Sequence, residues 1–287
     1  AVAKISGQIV ISEAATPSSE EGTRIVIKGV SIGSRIMDTY RKASVYKTDI
    51  TIENCLLSFN STGFVYRFAN GNTDNTDASK PNIDSLTMKN CRYNFVKGDN
   101  GQRVFTENSP AYVTLDGLYF DNKFPTLGYP KWKDSVINGS YVVKNCYFRD
   151  YLRTSDDRGN PKPTVIAPTG HAQYCSAEGK QTHLLFENNI VIDAASDKYN
   201  SSDFVFAAIY PDAFTDITFK DNTFIDTNNY LSVPFIASAE TYAPMNKDYS
   251  DRIIFEGNRL IGYSPFITVN SQTETLTRGS NNYYAPY

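Results

Sequence analysis

The sequence predicts an all-β chain whose short parallel strands stack copy upon copy into one solenoid. Three observations carry this. An eight-residue motif recurs eight times, its apolar positions alternate as strands do, and one outward position changes charge sign from each copy to the next. Self-similarity at this scale is the mark of a repeat architecture.

The copies lie at 25–32, 50–57, 86–93, 113–120, 141–148, 184–191, 217–224 and 253–260; the clearest are Ile50-Thr-Ile-Glu-Asn-Cys-Leu-Leu57, Leu86-Thr-Met-Lys-Asn-Cys-Arg-Tyr93 and Tyr141-Val-Val-Lys-Asn-Cys-Tyr-Phe148. In each, the first and third residues are apolar, the alternation of a strand that buries one face. The fifth position reads Gly29, Asn54, Asn90, Gly117, Asn145, Asn188, Asp221 and Gly257. These residue types tolerate a left-handed backbone, so the strand bends there. The sixth and eighth positions then point inward again. Each copy is therefore a strand, a sharp corner and a short strand.

The fourth position carries Lys28, Glu53, Lys89, Asp116, Lys144, Glu187, Lys220 and Glu256. If successive copies are parallel, in-register neighbours about 4.8 Å apart, every charge sits between opposite ones. One such exposed pair contributes only about 0–1 kcal/mol, so the value of the column is in setting register. Further short apolar segments at 35–38, 64–68, 103–106, 135–137, 164–167, 204–207, 233–236 and 266–269 predict one more strand per turn. Third residues of successive copies are 25 to 43 residues apart, which fits a minimal turn with loop insertions of variable length. Leucine-rich repeats would require helical apolar spacing, which is lacking, and a propeller would require regular blades of about 40 to 45 residues.

Composition narrows the function. The chain has 287 residues, 28 Lys and Arg against 31 Asp and Glu, and a net charge of -3. No basic surplus exists to neutralise nucleic acid, and no apolar run approaches the roughly 20 residues of a membrane span. The start, Ala1-Val-Ala-Lys-Ile5, lacks the features of a signal peptide, so a secreted protein would be in its mature form. Two histidines, His171 and His183, argue against His-rich zinc sites.

The motif I-x-I-x-N-C/N-x-F, over roughly residues 25 to 269, resembles the right-handed parallel β-helix of the pectate-lyase-like superfamily. The likeness is strongest to the Asn- and Tyr-rich β-helices of Bacteroidetes polysaccharide-utilisation systems, then to phage tailspikes. The resemblance implies a single right-handed parallel β-helix of about eight or nine coils, roughly 40 Å long by strand spacing. Residues 1–24 would cap one end and 270–287 the other. It also implies a secreted or cell-surface protein that binds polysaccharide along a lateral sheet and its loops. Within that superfamily a lyase, a hydrolase, a phage-type adhesin and a structural subunit assembling end to end are the alternatives, since fold alone does not assign chemistry.

The candidate site residues follow. Arg67 and Arg103 hold similar places in the second-strand column, with Glu107 close in sequence, and could pair with a uronate carboxylate. Trp132, Tyr151, Arg153, Tyr210 and Tyr242, together with Tyr129 and Tyr249, fall in insertions, where aromatic faces stack on sugar rings. Blocks like those of polygalacturonases, Asn72-Thr-Asp74 and Asp156-Asp157, are chance matches, because Asp74 and Asp156 are 82 residues apart and cooperating carboxylates need roughly 5 to 10 Å. No cofactor is expected; calcium is the one ion lyase chemistry would admit, although no run of three acids at strand spacing occurs. Cys55, Cys91 and Cys146 share the sixth column as stacked buried thiols, with a Cys55–Cys91 disulfide as the alternative. Asn189, Asn222 and Asn258 continue that column as an inward amide ladder. Sequons stand at Asn60, Asn138 and Asn200.

Overall fold

The computed structural model describes residues 3–12, 23–34, 36–39, 48–58, 64–66, 85–94, 112–121, 138–149, 181–192, 207–209, 216–225, 236–238, 253–262, 267–269, 272–274 and 282–284. These residues form β-structure, dominated by two large sheets of parallel strands. The first parts of the eight copies make an eight-stranded sheet: Thr23–Lys28, Thr48–Glu53, Ser85–Lys89, Tyr112–Asp116, Asn138–Lys144, Gln181–Glu187, Asp216–Lys220 and Ile253–Glu256. The second parts make most of a ten-stranded sheet: Ala3–Ile5, Val30–Ile32, Leu56–Leu57, Arg92–Asn94, Tyr119–Asp121, Tyr147–Arg149, Ile190–Ile192, Thr223–Ile225, Arg259–Ile261 and Asn282–Tyr284. Strand order follows chain order in both, which is consistent with a parallel β-helix.

Register is constant from copy to copy. Lys28 pairs with Glu53, Glu53 with Lys89, Lys89 with Asp116, Asp116 with Lys144, Lys144 with Glu187, Glu187 with Lys220 and Lys220 with Glu256. The charge column is thus one unbroken ladder. Lys28 Nζ lies 3.2 Å from Glu53 Oε1, and Lys144 Nζ lies 3.7 Å from Asp116 Oδ2.

The corner has one geometry throughout. All eight fifth-position residues have positive φ, between 50° and 68°, the region open to Gly and tolerated by Asn and Asp. At Gly117 a Cβ would come within 2.7 Å of Asn90 Oδ1, so glycine there also makes room for the carboxamide of the copy before. Seven corner amides donate to the fourth-position carbonyl of the next copy, from Gly29 to Glu53 through to Asp221 to Glu256.

The core lies between the sheets. Third-position Ile52, Met88, Leu115, Val143, Phe186, Phe219 and Phe255 are buried, as are eighth-position Ile32, Leu57, Tyr93, Phe120, Phe148, Val191, Phe224 and Leu260. Each such side chain contributes about 1.5–3 kcal/mol through burial. Aromatic rings stack along the column, Phe120 on Phe148 at 5.0 Å. At the first copy, Ile25 and Ile27 are only half-buried, as expected of an end strand with one neighbour in its sheet.

Further strands appear at Ile36–Thr39, Phe64–Tyr66, Ala207–Ile209, Ile236–Ser238 and Ile267–Val269, overlapping five of the eight second-strand segments. Ile9–Ser12, Ile36–Thr39 and Phe64–Tyr66 form a third parallel sheet, and Ala207–Ile209 pairs with Ile236–Ser238. Segments 103–106, 135–137 and 164–167 lie outside the described residues. One pairing was not anticipated: Ile267–Val269 runs antiparallel to Gln272–Glu274. Only two residues separate these strands, a span that joins antiparallel partners and is too short for a parallel crossover.

Candidate functional site: the outer face of the ten-stranded sheet

From Leu56 to Arg259, residues of the seventh position sit between two buried columns and therefore face outward. In register they read Leu56, Arg92, Tyr119, Tyr147, Ile190, Thr223 and Arg259, and the strand register continues to Ser31 and Lys4 at one end and Asn282 at the other. The middle of this column is chemically distinct. The rings of Tyr119 and Tyr147 are parallel, 1° apart in tilt, with centroids at 4.8 Å. The Arg92 guanidinium carbon lies 5.1 Å from the Tyr119 centroid, a cation–π contact. Leu56 continues the strip on one side and Ile190 on the other, both exposed. Exposed Arg149 stands on the same face two positions beyond Tyr147.

The strands hold this strip in place from beneath. Backbone amides of Arg92, Tyr119, Tyr147 and Ile190 donate to the sixth-position carbonyls of the preceding copies, Cys55, Cys91, Leu118 and Cys146, at 2.8–3.0 Å. Three planar groups are thereby stacked one per strand. Because the rings cover one another's faces, the edges of the stack turn toward solvent.

The sixth column lies directly behind the strip. Its thiols are free and buried. Each thiol lies between two carbonyls: the fourth-position carbonyl of its own copy at 3.1–3.3 Å and, farther off, the third-position carbonyl of the preceding copy, Ile27 at 3.7 Å from Cys55 and Ile52 and Leu115 at 3.6 Å from Cys91 and Cys146. Burial pushes the Cys91 thiol up to about 11 and the Cys146 thiol up to about 12. Both remain protonated at neutral pH and are poor nucleophiles. Burial also pushes the Tyr93 phenol up. The amide ladder is present as read: Asn189, Asn222 and Asn258 are buried and donate to Val143, Phe186 and Phe219 carbonyls at 2.8–2.9 Å.

Arg67, Arg103, Glu107, Trp132, Tyr151, Arg153, Tyr210 and Tyr242, with Tyr129, Tyr249, His171 and Cys175, lie outside the described residues. His183 is exposed in the eight-stranded sheet, between Ser140 and Asp216 in register. The sequon residue Asn138 pairs with Gln181 in that sheet, while Asn60 and Asn200 are not among the described residues. Sequence reasoning passed over the strip, although Arg92, Tyr119 and Tyr147 occupy one column of the motif; reading that column down the copies would have found them. Among the described residues, no three His, Cys, Asp or Glu side chains come together as a metal site. No helix there is long and apolar enough to cross a membrane. No protein-family model, curated protein or solved structure matches the chain.

Proposed function

We propose that the chain is a right-handed parallel β-helix of the pectate-lyase-like kind, and that it binds polysaccharide along the outer face of its ten-stranded sheet. Two features support the fold reading. Consecutive strands alternate between the same sheets in fixed register, and crossovers between parallel strands are right-handed in about 98% of cases. The binding reading rests on one observation, the strip Leu56, Arg92, Tyr119, Tyr147 and Ile190. A sugar chain lying along the stack meets a fresh polar or apolar edge roughly every 4.8 Å. Phenolic and guanidinium groups suit sugar hydroxyls, while Leu56 and Ile190 suit the C–H faces. The protein acts outside the cell in this reading.

The test is a glycan array screened with the purified chain, each hit assayed for cleavage products and re-measured with Tyr119→Ala and Tyr147→Ala. We expect binding that either substitution weakens roughly ten-fold, about 1.4 kcal/mol. Binding unchanged by both would move the site off this strip. No binding to any glycan would remove the reading.

A further inference from the structure

We propose that the outer face of the eight-stranded sheet is a homodimer interface, and that its partner is a second copy of this chain related by a two-fold axis parallel to the strands. The charge ladder carries the argument. It has an even number of members and alternates strictly, so running it backwards exchanges every sign. A two-fold axis along the strands does this: it sets the first strand of one copy opposite the last of the other and keeps each column facing itself. Lys28 then meets Glu256, Glu53 meets Lys220, Lys89 meets Glu187, and Asp116 meets Lys144, in both directions. A two-fold interface is self-complementary by definition, and this ladder meets that condition at every step.

The column beside it supplies an uncharged seam of four threonines and four aliphatic residues. Second-position residues read Val26, Thr51, Thr87, Thr114, Val142, Leu185, Thr218 and Ile254 in register, without a charge. Its two most exposed members stand at opposite ends, Val26 at 51% and Ile254 at 38%. The same axis brings these two ends together, so each exposed side chain covers the other. Near the centre it places Thr114 against Val142. A seam without charge beside a charged rim fits the usual anatomy of an interface, whose core is depleted of charged residues.

The alternative axis, along the stack, sets the fourth column against the column four residues earlier. Arg24 would then face Lys28 and Asp49 would face Glu53, like against like, while Lys89, Asp116 and Lys144 would face the uncharged Ser85, Tyr112 and Ser140, so most of the ladder would meet no opposite charge. In the proposed arrangement the far rim does bring Asp49 opposite Asp216, so recognition lies on the corner side of the sheet. Eight strands about 4.8 Å apart and five residues of about 3.3 Å make a face of about 600 Å² on each copy. Twice that area sits at the lower end of the roughly 1,200–2,000 Å² buried by specific interfaces. The dimer leaves the ten-stranded sheet open, so this inference and the glycan reading fail separately.

Sedimentation equilibrium on the whole chain tests it, at low and high salt. The expected result is a monomer–dimer equilibrium in the micromolar range that weakens as salt screens the rim. Val142→Lys, near the axis and on the surface, should weaken the dimer at least ten-fold while circular dichroism stays unchanged. Asp116→Lys places lysine opposite Lys144 twice and should also weaken it; adding Lys144→Asp restores opposite charges across the axis and should recover the dimer, although each copy then carries the new lysine beside Lys89 and the new aspartate beside Glu187 and should unfold at lower denaturant. A chain that stays monomeric throughout overturns the proposal, and so does open-ended polymerisation. A dimer indifferent to Val142→Lys and to the charge pair overturns it as well.

Discussion

The two halves of the sixth column solve one problem with different chemistry. At every corner a buried amide and the third-position carbonyl of the copy before are left over from the backbone ladders. In the C-terminal half, asparagine meets both needs: Asn222 Nδ2 donates to the Phe186 carbonyl at 2.8 Å, and its Oδ1 accepts from the Asn189 amide at 2.9 Å. In the N-terminal half the thiols do so weakly. Cys146 Sγ accepts from the Leu118 amide at 3.4 Å, but its one proton is shared between the Leu115 carbonyl at 3.6 Å and the nearer Lys144 carbonyl at 3.1 Å. Cys146 is also the junction, since its own amide donates to Asn189 Oδ1 at 2.8 Å. Leu118 has no polar atom to offer. Position in the stack therefore sets the need, and residue choice sets how firmly it is met.

The largest test of this contrast is Asn222→Leu. It strands a buried carbonyl and a buried amide together, and should cost about 3 kcal/mol in denaturant unfolding. A loss under about 1 kcal/mol would mean that the amide ladder is no firmer than the thiols. Corner glycines should show no such contrast. Gly117→Ala and Gly257→Ala should each cost about 1–2 kcal/mol, through left-handed backbone and crowding by Asn90 or Asp221. Unequal losses would place the difference between the halves in the corner as well as in the sixth column.

Cys91→Ala should cost about 1–2 kcal/mol, mostly from lost packing. Cys91→Asn in the same position should cost less, if asparagine can take up the Ile52 carbonyl as it does elsewhere. The smallest effect is one of pH. Burial raises Cys91 from 9.0 to about 11 and Cys146 from 9.0 to about 12. The unfolded chain loses these protons first, so the contribution is intact below pH 9 and is lost as pH rises toward 11 and 12. Hydrogen exchange should show the thiol half loosening over that window before the asparagine half.

Much of the fold was legible in the sequence because stacking parallel strands copy on copy repeats one set of demands. Gly, Asn and Asp at the fifth position announced a left-handed corner, and all eight adopt it. The fourth column announced the order of neighbours, and the pairing follows it. The strip on the ten-stranded sheet was harder to see. Leu56, Arg92, Tyr119, Tyr147 and Ile190 share the seventh position of the motif but no side-chain chemistry, so reading residues singly does not pick them out. Loop aromatics such as Trp132 and Tyr242 drew attention as single residues, whereas a solenoid makes surfaces from columns. The antiparallel pair at Ile267–Val269 and Gln272–Glu274 escaped for a related reason, since it obeys turn length and joins the last segment of the repeat to a strand beyond it.

The charge ladder has a consequence for how such a chain can grow or shrink. Remove one copy, the fifth for example, and Asp116 comes to rest beside Glu187. Remove the fifth and sixth together and Asp116 rests beside Lys220, its alternation untouched. The ladder therefore gives the molecule a parity: changes by two copies are tolerated at the surface, and changes by one leave a fault line of like charges. Duplication or deletion of paired copies is the step this architecture accepts.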